Sequence, residues 1–506
     1  MISRRDFLKG AAASAVGAAT IGVLGACTQD DKTTTSSIKW DKETDVLIVG
    51  GGGTGVAAML QAANDGAKVL VLEKAGIAGG TTNLSGGVMQ AAGTEYQKSL
   101  TGFKDDTPEK HAELWIKGGE GYIDEELVKD LAKGAPEHIK WLSDLGLKWT
   151  SVYGHNHVPY IDKSLYADRI HVYEGGGASG QGVLLVQTML KAALAKGALI
   201  EYNTEATKLL TDATGTVIGV VAKSGDKSMN IKANKGVILA AASIDQNVEM
   251  AKELSQQHYW DLTTQLCLSV KTDTGDGIRM AQELGAAVAG FGGCIDFCLK
   301  TGNATTNKNK VFPSFIVNKK GRRFVCEDAT YAYHYRAIFQ QESQLNGPTY
   351  MIFAKSSLAA VGAPWTEESV AADIKAGTVL TADTIEGLAK LIAVDEENLA
   401  ATLATWNADT AAGKDDQFDR IDGLVPLEGP FYAYKNVSGN LGSLGGVKIN
   451  VETQVLKPNG EPIPHLFAGG LNAGGWIGPY YPGSGTAIIG TVHQGRKAGA
   501  NAAKIK

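Results

Sequence analysis

Asp45-Val46-Leu47-Ile48-Val49 runs without a break into Gly50-Gly51-Gly52-Gly53-Thr54-Gly55, and few folds accommodate that junction. A continuous apolar run suits a strand buried on both faces of a parallel sheet, and the glycines after it satisfy G-x-G-x-x-G. Glycines at that spacing let the chain turn sharply, bring backbone amides up to a pyrophosphate and pack the next helix close to the strand. A helix is expected over 56–65, ending at Gly66, and a second strand, Lys68-Val69-Leu70-Val71-Leu72, ends at Glu73. Glu73 lies 23 residues after Gly50, which is where a carboxylate accepts hydrogen bonds from ribose hydroxyls. Strand, turn, helix, strand and acid in this order predict an α/β, Rossmann-like domain that binds a dinucleotide.

The glycine spacing recurs in Gly175-Gly176-Gly177-Ala178-Ser179-Gly180, before an apolar helical stretch over 182–196 and Ala198-Leu199-Ile200-Glu201. The preceding Arg169-Ile170-His171-Val172-Tyr173-Glu174 alternates with polar residues, unlike a strand buried on both faces. The segment therefore reads as a glycine loop near a substrate cavity and not as a second nucleotide site. Glycine makes up 63 of the 506 residues and clusters in discrete loops, as expected where backbone is pressed against a ligand. A net charge of −6 shows no basic excess, so nucleic acid is not an expected partner.

Ser3-Arg4-Arg5-Asp6-Phe7-Leu8-Lys9 precedes an Ala/Gly-rich run over 10–26 and then Cys27. A twin arginine before a weakly apolar stretch is a bacterial address for export of a folded protein, and the run is too short and too weakly apolar to span a bilayer. Leu24-Gly25-Ala26-Cys27 resembles a lipoprotein processing site, which would leave a lipid on Cys27 as the only membrane attachment. Residues 1–27 thus read as a signal peptide and 28–43 as a polar tether. The remaining chain exceeds a single core. Beyond Cys27 the cysteines are Cys267, Cys294, Cys298 and Cys326; their spacing fits no known cluster, and no metal site is expected.

Three further segments carry a family resemblance: Gly79-Gly80-Thr81-Thr82-Asn83-Leu84-Ser85-Gly86-Gly87, Thr274-Gly275-Asp276-Gly277, and His465-Leu466-Phe467-Ala468-Gly469-Gly470. Together they resemble the flavoprotein family of fumarate reductase, succinate dehydrogenase and 3-ketosteroid dehydrogenase, from about residue 43 to the C-terminus and patchily between 288 and 430. The resemblance implies FAD. It places Gly50, Gly52, Gly53, Gly55, Glu73 and Lys74 on the cofactor, with Gly80, Thr81, Thr82, Ser85, Gly86 and Gly87 along it. Ala206, Asp276, Gly470, Thr486, Ala487 and Ile488 complete the implied set. It also implies an FAD-binding domain in two parts, 44–287 and 430–506, interrupted by an α+β capping domain over 288–429. Strand-like runs over 205–240 and 445–450 fit that division, whereas 345–420 reads as Ala/Glu-rich helix.

The resemblance also bears on chemistry. Gly321-Arg322-Arg323-Phe324-Val325-Cys326-Glu327-Asp328-Ala329-Thr330-Tyr331 is similar to the segment that ends, in fumarate reductases, with a proton-donating arginine; here Tyr331 stands there, as in ketosteroid dehydrogenases. Tyr481-Pro482-Gly483-Ser484-Gly485 is similar to the segment whose tyrosine hydroxyl and glycine amide hold a ketone oxygen. Asn440-Leu441-Gly442-Ser443 lacks the histidine that would grip a carboxylate. An anionic substrate needs fixed cations in place of its water shell, so these replacements favour a neutral carbonyl over a dicarboxylate. The expectation is an exported FAD enzyme that reduces the C=C bond of a neutral enone or aryl acrylate, with Tyr331, Tyr481 and Gly485 at the reaction. The alternatives are a desaturating ketosteroid-type dehydrogenase, a fumarate- or acrylate-like reductase, and a flavin electron carrier. The chain has no CxxCH haem motif, so electrons are expected from a separate membrane cytochrome or flavin carrier.

Overall fold

The computed structural model describes residues 38–154, 157–300 and 311–506. The expected signal peptide, Cys27 and residues 28–37 of the tether lie outside these described residues. Strand β1 (Lys42–Val49) turns at the glycine loop into helix α1 (Gly53–Asn64), and the chain returns in β2 (Val69–Leu72). The helix starts three residues earlier than its apolar pattern predicts, inside the glycine motif. Gly50 takes φ +99°, and a Cβ on Gly55 would strike the Gly50 carbonyl oxygen. Only glycine allows so sharp a turn with the helix seated so close.

After helix α2 (Glu125–Asp144) come strands β3 (Leu199–Glu201) and β4 (Lys227–Leu239). Far along the chain, helix α3 (Tyr331–Leu345) precedes β5 (Gln454–Leu456), β6 (Pro462–Ala468) and the final helix α4 (Thr486–Lys504). The main sheet has the order β5-β6-β4-β1-β2-β3. Along this path all neighbours are parallel except β5 and β6, and Val217–Ser224 and Glu205–Thr211 extend the sheet antiparallel from β4. Val46, Leu47, Ile48 and Val71 are wholly buried, which is worth about 1.5–3 kcal/mol for each such side chain. A strand buried on both faces has no polar face to define its register. Polar groups at its start do so: Thr44 Oγ1 donates to Lys68 O at 2.8 Å, and the Asp45 carboxylate accepts the Lys68 N–H at 2.9 Å. Helix α4 lies along α1, with Gly495 and Gly499 set against the carbonyls of Thr54 and Ala58. This close packing carries residues from the C-terminal end of the chain to the glycine loop.

A smaller antiparallel sheet has the strands Phe315–Val317, Tyr350–Ala354, Phe431–Lys435 and Val379–Ala382 in that spatial order. It has its own apolar cores, around Trp406 on one side and Trp365 on the other. Two of its strands lie in the stretch read from sequence as helical. Tyr350–Ala354 spans five residues and Val379–Ala382 four, too short for periodicity to separate from flanking helix. The loop at 175–180 follows Ile170–Tyr173, which pairs antiparallel with Met89–Gln90 and Trp149–Tyr153 outside the main sheet. Its amides bind the glycine segment near residue 85: Gly177 N–H donates to Gly86 O and Gly180 N–H to Leu84 O.

Candidate active site

A cleft opens at the carboxyl ends of β1, β2 and β4, where doubly wound sheets place their ligands. Gly50, Gly52, Gly53, Glu73, Lys74, Gly80, Thr81, Thr82, Ala206 and Asp276 line it, together with Ala240–Ala242, Asp273 and Thr491. Helix α1 has no side-chain cap, so its N-terminus faces the cleft as an anion site. A Cβ on Gly52 would meet nothing nearer than Gly79 O at 3.9 Å, leaving the loop open to a ligand. Glu73 Oε2 accepts the Gly51 N–H and Oε1 the Ala75 N–H, both at 2.7 Å. Burial raises the Glu73 pKa, against the effect of these two amides. Lys74 Nζ is tied to Glu205, Thr274 and Asp276 within 3.0 Å. Backbone amides at one end and a carboxylate at the other are the donor and acceptor set that a dinucleotide requires.

The other expected cofactor residues are not on the lining of this cleft. Gly55 packs α1 on the turn. Ser85 Oγ donates to Thr82 O and accepts the Gly87 N–H, while Gly86 O meets the glycine loop. Gly470 N–H donates to Gln494 Oε1 at 2.8 Å, and Thr486, Ala487 and Ile488 form the first turn of α4.

Tyr331 opens α3, and Tyr481 lies in the loop before α4, 150 positions further along the chain. Their rings nevertheless approach to 6.1 Å between centroids. They are 7% and 4% exposed. Tyr331 Oη lies 3.4 Å from Ser484 Oγ, and the Ala487 N–H donates to Tyr481 Oη at 2.7 Å. Burial pushes both phenols well above the usual range. The neighbouring Tyr481 raises Tyr331 further, whereas the amides of Ala487, Thr486 and Gly485 partly offset the rise at Tyr481. Both side chains therefore keep their protons, and each can donate a hydrogen bond or, to a strong base, a proton. Tyr480 points elsewhere: its hydroxyl meets Tyr160 Oη at 2.9 Å and its ring meets Tyr333 edge-on.

Three arginines are engaged with other groups. Arg323 binds Glu327 and Asp415, Arg336 binds Glu120, and Arg420 binds the carbonyls of Phe312 and Ser314. Arg420 Nη1 also lies 3.5 Å from Glu327 Oε2. Asn440 and Ser443 turn to a buried layer: Asn440 donates to Asp261 at 2.7 Å and meets His258, and Ser443 N–H donates to Asp245. Sequence reading missed several buried groups beside the site. His157 Nδ1 lies 2.8 Å from Asp328 Oδ1, and its carbonyl accepts the Thr330 N–H. His334 lies one turn after Tyr331, and burial lowers its pKa to about 4, which keeps it neutral. Gln90 and His111 lie behind residues 484 and 485. None of these forms a local motif, so spacing gave no signal for them.

Residues 45–488 match the family described as FAD binding domain, and residues 1–20 match the twin-arginine translocation pathway signal sequence. Digoxin reductase of Eggerthella lenta is 30% identical, covering 100% of this chain and 97% of that protein. Fumarate reductase (cytochrome) of Shewanella frigidimarina is also 30% identical, covering 91% of this chain and 77% of that protein. Among solved structures, 3-ketosteroid-Δ4-(5α)-dehydrogenase from Rhodococcus jostii in complex with 4-androstene-3,17-dione is 29% identical. It superposes with a TM-score of 0.78 over 93% of this chain and 99% of that one. Among the described residues no helix is long and apolar enough to cross a membrane. The chain belongs to the FAD binding domain family and, with its twin-arginine export signal, is an FAD-dependent oxidoreductase acting on CH–CH groups.

Proposed function

We propose that this enzyme reduces the activated C=C bond of a neutral enone-type acceptor, steroid-like or aromatic, aryl acrylates included. The observation that carries the proposal is the pair of buried phenols, Tyr331 and Tyr481, held beside the N-terminus of α4. When bound, reduced FAD supplies the hydride that goes to the β-carbon of the acceptor. Tyr481 Oη and the Gly485 N–H hold the carbonyl oxygen as it gains enolate charge, where one such donor is worth roughly 3 kcal/mol. Tyr331 delivers its proton to the α-carbon, and the hydride and proton together saturate the bond. A phenol that burial keeps protonated is a weak acid, but an enolate carbon is basic enough to take its proton. Tyr331 then regains a proton from water.

In this reading residues 288–429 cap the substrate, and residues 44–287 and 430–506 hold FAD. A membrane cytochrome or flavin carrier delivers electrons from outside the chain, and a lipid on Cys27 keeps the enzyme at the membrane surface. The likeness to the Rhodococcus dehydrogenase favours a second reading, in which the same residues desaturate a ketone and pass electrons outward. Two assays separate these readings. With reduced viologen, digoxin and 4-androstene-3,17-dione should reoxidise the flavin; with saturated ketones and a dye acceptor, turnover should be slower. Faster turnover in the second assay would reverse the assigned direction, and none in either would remove neutral carbonyl compounds as substrates.

A further inference from the structure

We propose that Gln90 is a positioning residue that aims the Gly485 amide at the carbonyl oxygen of the substrate. The inference rests on the reading of Tyr481 and Gly485 as the carbonyl donors. Gln90 is 2% exposed and ends the short strand Met89–Gln90. Its Nε2 donates to Ser484 O at 3.0 Å, and its main-chain N–H donates to Gly485 O at 3.3 Å. In a trans peptide the C=O and the following N–H point in opposite directions. Holding the Ser484 carbonyl on the Gln90 side therefore turns the Gly485 N–H the other way, away from the strand.

The strand leaves this loop little freedom. Gly485 takes φ +91°, and a Cβ there would lie 2.9 Å from Gln90 N and 3.0 Å from Met89 Cα. Only glycine fits that conformation against the strand. The orientation of the Gln90 amide is set from behind. His111 Nε2 lies 3.1 Å from Gln90 Oε1, and an amide oxygen only accepts, so the imidazole donates. Burial lowers the His111 pKa to about 3, so the ring is neutral with its proton on Nε2. The reversed amide would set Oε1 against the Ser484 carbonyl, acceptor to acceptor. His111, Gln90 and the peptide between Ser484 and Gly485 thus form one directed chain ending at the catalytic amide.

The test compares FAD-loaded wild-type enzyme with Gln90→Met, Gln90→Glu and Tyr481→Phe. Turnover is read with cyclohex-2-enone, and 4-nitrophenolate at alkaline pH is titrated as a mimic of the enolate oxygen. Both Gln90 variants should lose about tenfold or more in kcat and in nitrophenolate affinity, with KM and FAD content little changed. Gln90→Glu adds a signature that a packing role does not produce. Ionised, its carboxylate repels the Ser484 carbonyl; protonated, it restores a donor, so kcat of this variant should recover as pH falls while Gln90→Met stays flat. Unchanged kcat and nitrophenolate affinity in both Gln90 variants, or parallel pH profiles for the two, would overturn the inference. If Tyr481→Phe loses both readouts while the Gln90 variants keep them, only the role of Gln90 fails; if Tyr481→Phe also keeps them, the carbonyl-donor reading itself fails.

Discussion

Replacing Tyr331 with phenylalanine is expected to cut turnover by about a hundredfold or more while FAD stays bound, because a positioned general acid contributes about 10²–10⁴. Tyr481→Phe should lose a similar factor for a different reason: it deletes one donor to the developing enolate. The two variants can be told apart. Tyr331→Phe leaves carbonyl binding intact and lowers kcat with little change in KM, whereas Tyr481→Phe also weakens ligands that carry an oxyanion. Both hydroxyls are enclosed, and the rings lie 6.1 Å apart, so the double variant should fall well short of the product of the single losses, as residues acting as a unit do. FAD content is the control, since neither side chain lines the nucleotide cleft. Near-normal rates in either single variant would remove that residue from the chemistry.

The second large effect is on stability and centres on Arg323. Its guanidinium donates to both oxygens of Glu327 and both of Asp415, at 2.7–3.0 Å. It also lies 5.0 Å from the Trp406 ring and 4.8 Å from Phe418. All three charged side chains are 1% exposed. Removing the cation leaves Asp415 and Glu327 buried with Arg420, 3.5 Å from Glu327, as the remaining nearby cation, and breaking a buried pair in this way costs about 3–5 kcal/mol. Arg323→Met should therefore lower the unfolding midpoint sharply, and neutralising both acids as well, with Glu327→Gln and Asp415→Asn, should recover much of the loss. Glu327 also accepts the Ile316 N–H and lies four residues before Tyr331, so the single variant should lose turnover too. A loss of less than about 1 kcal/mol would show that water reaches the cluster and screens it.

What the sequence made legible was local. The strand, glycine turn, helix and Glu73 lie within one stretch of chain, and each has a signature set by backbone geometry, so their arrangement followed from spacing alone. Tyr331 and Tyr481 have no such signature; a tyrosine is ordinarily a packing residue, and only the family segments around them singled them out. Gln90 meets Ser484 across 394 positions, and no periodicity encodes a contact of that range. The aspartates at 245 and 261 were equally silent, because acidic residues are normally exposed and the burial of these two is decided by tertiary packing. The strands Tyr350–Ala354 and Val379–Ala382 escaped for the reason given by their length.

In the proposed function the substrate site recognises an uncharged oxygen through phenol and amide donors, with no cationic clamp for a dicarboxylate among the described residues. The most direct test of this reading is the steady-state rate of purified, FAD-loaded enzyme with reduced viologen and fumarate, beside the same assay with a neutral enone. The enone should reoxidise the flavin, and fumarate should not do so above background. Brisk turnover of fumarate would contradict it.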